Sequence, residues 1–159
     1  MTEVRFTVNG VAQCVTVEPR LTLADMLREA CSLTGTHLGC EHGVCGACTV
    51  LMDGLPVRGC LVFGVQAEGA DIRTVEGLAA PDGTLNALQR AFQAHHGLQC
   101  GFCTPGFLML ATWLLEREEG VDEPALRETL ASNLCRCTGY QNILGAVRAA
   151  AMEMGRWRG

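Results

Sequence analysis

At 159 residues the chain is long enough for one compact domain or two very small ones, but leaves no room for a large cofactor site beside its own core. A net charge of −5 without any basic run argues against nucleic acid as a partner. Hydrophobic residues make up 48% and charged ones only 18%, with a mean hydropathy of +0.20; yet no apolar stretch approaches the roughly 20 residues that cross a bilayer, so the surplus reads as surface covered by another subunit, or as a cofactor-filled interior.

The chain opens as a strand rather than a signal peptide, in Met1-Thr2-Glu3-Val4-Arg5-Phe6-Thr7-Val8, and a cytoplasmic protein is the expectation. Val4, Phe6 and Val8 alternate, Asn9-Gly10 supplies a type I′ hairpin turn, and Val11, Val15 and Val17 continue the period of two. Thr22 is placed to cap a short helix, with Asp25 completing a capping-box variant and Leu23, Met26, Leu27 and Ala30 forming one apolar face. Hairpin and packed helix together predict a β-grasp-like first half. Asp53-Gly54 marks a second hairpin between Thr49-Val50-Leu51-Met52 and Leu55-Pro56-Val57-Arg58.

The stretch from about Glu68 to Gly83, rich in Gly, Ala, Asp and Pro, reads as a linker between halves. Beyond it the period becomes helical. Thr84 is the expected cap of a helix that runs to about His96 and is closed by Gly97. Thr104-Pro105 starts another, apolar nearly all round through Leu108, Leu110, Ala111, Trp113, Leu114 and Leu115, and therefore central. Asp122-Glu123-Pro124 opens a third helix, and a last one is expected from about Tyr140 to Met152. The fold class is thus α+β: a β-grasp domain over residues 1–76, then a four-helix bundle over residues 77–159.

Ten cysteines need explaining, and at short spacings in a reducing compartment they point to metal rather than disulfides. Cys40, Cys45 and Cys48 stand as C-x4-C-x2-C with Cys60 beyond, the plant-type [2Fe–2S] spacing. Their loop is glycine-lined, which lets peptide N–H groups turn toward an anionic cluster. If Asp53-Gly54 is the turn, Met52 faces Leu55 and Cys48 faces Gly59, which returns Cys60 beside Cys48. Zinc prefers paired short spacings and fits this loop poorly.

Cys100 and Cys103 form C-x2-C, and Cys135 and Cys137 form C-x-C. A helix leading away from Cys103 and another leading back would bring the two motifs together, with helix starts after Cys103 and Cys137 that favour an anion. Spacing alone leaves an iron–sulfur cluster, zinc and a redox dithiol open for this second set.

Three segments are more specific: Gly39-Cys40-Glu41-His42-Gly43-Val44-Cys45-Gly46-Ala47-Cys48, Gln99-Cys100-Gly101-Phe102-Cys103-Thr104-Pro105-Gly106 and Asn133-Leu134-Cys135-Arg136-Cys137-Thr138-Gly139-Tyr140. Together, and in this order, the chain resembles the iron–sulfur subunits of the xanthine oxidase, or molybdenum hydroxylase, family. The small subunits of aerobic carbon monoxide dehydrogenase and of bacterial N-heterocycle and aromatic hydroxylases are similar. The resemblance implies two [2Fe–2S] clusters, on Cys40/Cys45/Cys48/Cys60 in a ferredoxin-like domain and on Cys100/Cys103/Cys135/Cys137 in a helical one. It implies that Gln99 and Cys137 approach a molybdopterin held by a large partner subunit. The first cluster would then face FAD on a medium partner subunit, in a heterotrimer or a dimer of heterotrimers.

The residues agree with such a division of labour: the sequence has no P-loop, no G-x-G-x-x-G after a strand and no Ser/His/Asp arrangement. Cys14 and Cys31 read as small packing residues, His42 as a solvated loop residue, and His95 and His96 as cations at a helix end. Arg136, between two ligands, would favour the reduced cluster or pair at an interface. Phe107 and Trp113 read as core, and Trp157 as an anchor of the tail on a partner. A free-standing ferredoxin-like carrier and a zinc-stabilised interaction module are the rival functions.

Overall fold

The computed structural model describes residues 1–159. Strand β1 (Thr2–Val8) turns through Asn9 and Gly10, both at positive φ (50° and 78°), into antiparallel β2 (Val11–Val17). The expected capping by Thr22 is present: its hydroxyl accepts the Asp25 N–H at 3.1 Å and opens α1 (Leu23–Asp25), which continues as a π-helical turn over Met26–Ala30. A long cysteine-bearing loop leads to β3 (Thr49–Met52) and β4 (Leu55–Arg58), joined by Asp53 and Gly54 at φ 51° and 80°. Their register is the one the sequence dictates: Met52 faces Leu55, and the Gly59 N–H donates to the Cys48 carbonyl at 3.1 Å.

The linker expected from Glu68 to Gly83 instead contains β5 (Asp71–Arg73), which inserts between β1 and β3. It pairs parallel with β1 and antiparallel with β3, so the sheet is mixed, in the order β2-β1-β5-β3-β4. The strand is only three residues long and contributes a single buried side chain, Ile72, which leaves no period to detect.

One face of the sheet closes on α1: Val4, Phe6, Val8, Val17, Leu23, Met26, Leu27, Val50 and Ile72 form a continuous core. Val11 does not join it. The outer edge strand β2 is largely exposed, Val11 and Cys14 included, so the packing role expected for Cys14 does not hold. Cys31 does pack against this core.

Helices α2 (Ala87–Ala94), α3 (Thr104–Glu116), α4 (Glu123–Leu130) and α5 (Gln141–Glu153) build the second core around Phe92, Phe107, Leu114, Leu126 and Val147. Asn86, not Thr84, caps α2; its side chain accepts from the Gln89 N–H at 2.9 Å while Gln89 reaches back to the Asn86 N–H. His96 rather than Gly97 takes the left-handed position after that helix. Thr104 is already the first residue of α3, with Cys103 at its N-cap. Leu51 of β3 belongs to this second core while its neighbour Val50 belongs to the first. β3 is therefore buried on both faces, with α3 lying over the side that α1 does not cover.

The C-terminal tail returns to its own chain. Val121 donates to the Arg156 carbonyl at 2.8 Å and accepts from the Arg158 N–H at 2.9 Å. Trp157 packs on the helical core with the Arg148 guanidinium 5.6 Å from its ring. It anchors the tail on its own chain. Trp113 is only half-buried, with Arg117 over its ring at 5.2 Å, whereas Phe107 is fully buried. No helix is long and apolar enough to cross a membrane.

Candidate metal centres

Cys40, Cys45 and Cys48 lie on the loop between α1 and β3, and Cys60 lies on a 3₁₀ turn just after β4. The hairpin geometry does what the sequence argument requires: Cys48 and Cys60 are buried together beside Ala24 and Leu38. The Cys40 sulfur accepts the Cys45 peptide N–H at 3.3 Å. That amide, followed by the one at His42, draws the Cys40 thiol down to about 6. Burial, then the neighbouring Cys48, pushes Cys60 up to about 11. His42 is exposed and its ring Nδ1 contacts the Cys40 carbonyl, as a loop residue would.

The second set is assembled from two places. Cys100 and Cys103 precede α3, while Cys135 and Cys137 follow α4, which packs against α3. Here too the thiols are electrostatic neighbours, Cys103 of Cys135 and Cys100, and Cys137 of Cys100 and Cys135. All four line one open cavity of about 300 Å³ together with Phe102, Leu134, Arg136 and Tyr140. Burial and then Cys135 push the Cys103 thiol up to about 12, whereas Cys100 and Cys137 are exposed. Gln99 is exposed beside them and its Nε2 donates to the Cys137 carbonyl at 3.2 Å.

Several residues that sequence reasoning passed over hold the two sets against each other. The Leu134 N–H donates to the Cys45 carbonyl at 2.9 Å. Buried Asn133 donates through Nδ2 to the Gly46 carbonyl at 3.2 Å. Arg58 bonds the Thr49 hydroxyl and, at 2.7 Å, the Ser132 carbonyl. His37 stacks on Phe102 at 4.9 Å between centroids and contacts the Phe102 carbonyl through Nδ1 at 2.8 Å. The backbone approach is so close that a Cβ on Gly106 would lie 2.3 Å from the Gly46 carbonyl oxygen. The advance signal was position alone: Gly46, Phe102, Gly106, Asn133 and Leu134 all stand inside the segments singled out for their cysteines.

The donor sets suit iron–sulfur clusters. Each offers four thiols, none in a disulfide, with a peptide N–H group turned toward a sulfur in each, at Cys40 and at Cys135.

Comparison with known proteins defines the class first. Residues 6–79 match the 2Fe–2S iron–sulfur cluster binding domain and residues 74–148 match the [2Fe–2S] binding domain. Among curated relatives, the caffeine dehydrogenase subunit gamma of Pseudomonas sp. (strain CBB1) is 55% identical, over 93% of this chain and 90% of its own length. The nicotine 6-hydroxylase small subunit of Paenarthrobacter nicotinovorans is also 55% identical, over 99% and 94%. The structure of quinoline 2-oxidoreductase from Pseudomonas putida 86 superposes with a TM-score of 0.92 at 50% identity, covering 98% of this chain and 96% of that one. Aldehyde oxidoreductase from Desulfovibrio gigas gives 0.91 at 41% identity, covering 98% of this chain and 17% of that longer one. The chain belongs to the small [2Fe–2S] subunits of the xanthine oxidase family of molybdenum hydroxylases, and is an electron-transfer component of a multi-subunit oxidoreductase.

Proposed function

We propose that the chain relays electrons from a molybdopterin centre on a large partner subunit to FAD on a medium one, through clusters on Cys40/Cys45/Cys48/Cys60 and Cys100/Cys103/Cys135/Cys137. Each [2Fe–2S] cluster, when bound, supplies one-electron exchange. The chain's own residues hold the thiolates, turn amides toward them and keep the two sites in contact. The observation that carries this reading is the direct backbone bond between the loops, from the Leu134 N–H to the Cys45 carbonyl, which joins a residue of one set to the neighbour of Cys135 in the other. A free-standing carrier would have no need of the exposed apolar groups near both sets, Val44 and Leu61 by the first and Phe102 and Leu134 by the second.

Within this reading Gln99 and Cys137, exposed and hydrogen-bonded to each other, face the pterin, and the first set faces the flavin. The chain divides into domains at residues 76 and 77, the second a four-helix bundle, and it works in the cytoplasm as one part of a heterotrimer or a dimer of heterotrimers. The packing of α2 on α5 and of α4 on α3 and α5 supports the bundle. Iron and acid-labile sulfide content of the purified complex tests the ligand assignment. Roughly four of each per small subunit are expected, falling by about half in Cys60→Ser and, separately, in Cys137→Ser. A Cys137→Ser protein with full iron would remove that residue from the set.

A further inference from the structure

The turn that carries Cys135 and Cys137 is closed by side chains, not by backbone alone. Thr138 makes two bonds to the Cys135 sulfur, from its peptide N–H at 3.4 Å and from its hydroxyl at 3.1 Å. The same hydroxyl accepts the Tyr140 N–H at 3.1 Å. With its acceptor side already engaged by an N–H, the hydroxyl has one polar atom left toward which to direct its own proton, the Cys135 sulfur. Tyr140 is held for this purpose in the left-handed region, at φ 68°, where a bulky residue is disfavoured. Its phenol oxygen accepts the Cys135 N–H at 3.1 Å, and its ring packs edge-on against fully buried Phe107 at 6.3 Å.

The first set has no counterpart. The Cys40 sulfur is served by peptide N–H groups, the Cys45 amide at 3.3 Å among them, and these survive nearly any change of side chain. A hydrogen bond donated to a ligand sulfur spreads its negative charge and favours the reduced, more negative cluster, which raises the reduction potential.

We propose that Thr138 is a tuning residue acting through Cys135: its hydroxyl raises the reduction potential of the second cluster and leaves that of the first unchanged. The inference rests on Cys135 being a cluster ligand, as proposed above. A redox titration of the intact complex, followed by low-temperature EPR of both [2Fe–2S] signals, tests it with Thr138→Val, Thr138→Ala and Thr138→Ser. Val and Ala remove the hydroxyl while the Thr138 peptide N–H stays, and Ser retains both donors. The expected result is a shift of one midpoint to more negative potential in T138V and T138A, no shift of the other, and a T138S midpoint at the wild-type position. Unchanged midpoints in T138V and T138A overturn the proposal, as does a T138S shift equal to that of T138V. A wild-type complex with only one [2Fe–2S] signal overturns the ligand assignment itself, and is distinguished from failure of the Thr138 role because it needs no variant.

Discussion

The peptide N–H of Leu134 donates to the carbonyl of Cys45 across 2.9 Å, so the loops carrying the two cysteine sets are bonded backbone to backbone. Around this bond the contact is tight: Asn133 occupies the space over Gly46, and Gly106 at the start of α3 touches the Gly46 peptide. The distance between the sites is therefore a property of this joint and not of the helices alone.

Gly46→Ala tests the joint. Gly46 sits at φ 75°, and a Cβ there would lie 2.0 Å from the Asn133 Oδ1. Strain and overpacking together are expected to cost about 1–3 kcal/mol, read as a lower midpoint in denaturant unfolding. The magnetic interaction between the two reduced clusters should weaken in the same variant, because Asn133 and Leu134 must move away. Unaltered broadening alongside a lower stability would mean that the joint supports the fold without setting the separation.

Much of this arrangement was legible in the residues, and the misses have physical causes. The Asp53-Gly54 turn fixed the β3–β4 register and with it the return of Cys60 to Cys48, because a two-residue loop allows one pairing. The hydroxyl of Thr138 escaped notice because its contact with Cys135 belongs to a turn in which Tyr140, a bulky residue, takes a positive φ that no local preference foretells. β5 escaped because position in a sheet is tertiary: Asp71 and Arg73 look like loop residues, yet Ile72 between them is fully buried at the centre of the sheet. Trp157 reads from the sequence only as an aromatic in a tail, because its pairing with Val121 and its packing on the helical core are tertiary.

Phe107 is fully buried and joins α3 to Tyr140 at the second cysteine turn. Phe107→Ala should lower stability by about 3–5 kcal/mol, the usual range for emptying a core aromatic site. Because the lost contact supports Tyr140, the second EPR signal should disappear before the first as the temperature of pre-incubation rises. Loss of both signals together would contradict the link from Phe107 to that turn.

Acid should loosen α4 from α5. Glu123 at the start of α4 bonds Arg148 of α5 and pairs with Arg127 at 2.7 Å, and the Arg148 guanidinium, ahead of Arg127, holds its carboxyl below the ordinary range. The folded state thus binds this proton less readily than the unfolded one. The stabilisation is complete above the ordinary carboxylate range and is lost as pH falls through the lowered folded value. Glu123→Gln should be less stable at neutral pH and show a shallower acid decline in thermal melts; an acid limb as steep as that of the wild type would rule Glu123 out as its source.

The central claim, that two cysteine sets each hold a [2Fe–2S] cluster within reach of the other, is tested most directly by low-temperature EPR of the anaerobically isolated, dithionite-reduced protein. Two distinct [2Fe–2S] signals of equal spin count with mutual magnetic broadening are expected. A single signal, with the spectrum unchanged in Cys103→Ser and Cys135→Ser variants, would contradict it and leave the helical half without a redox centre.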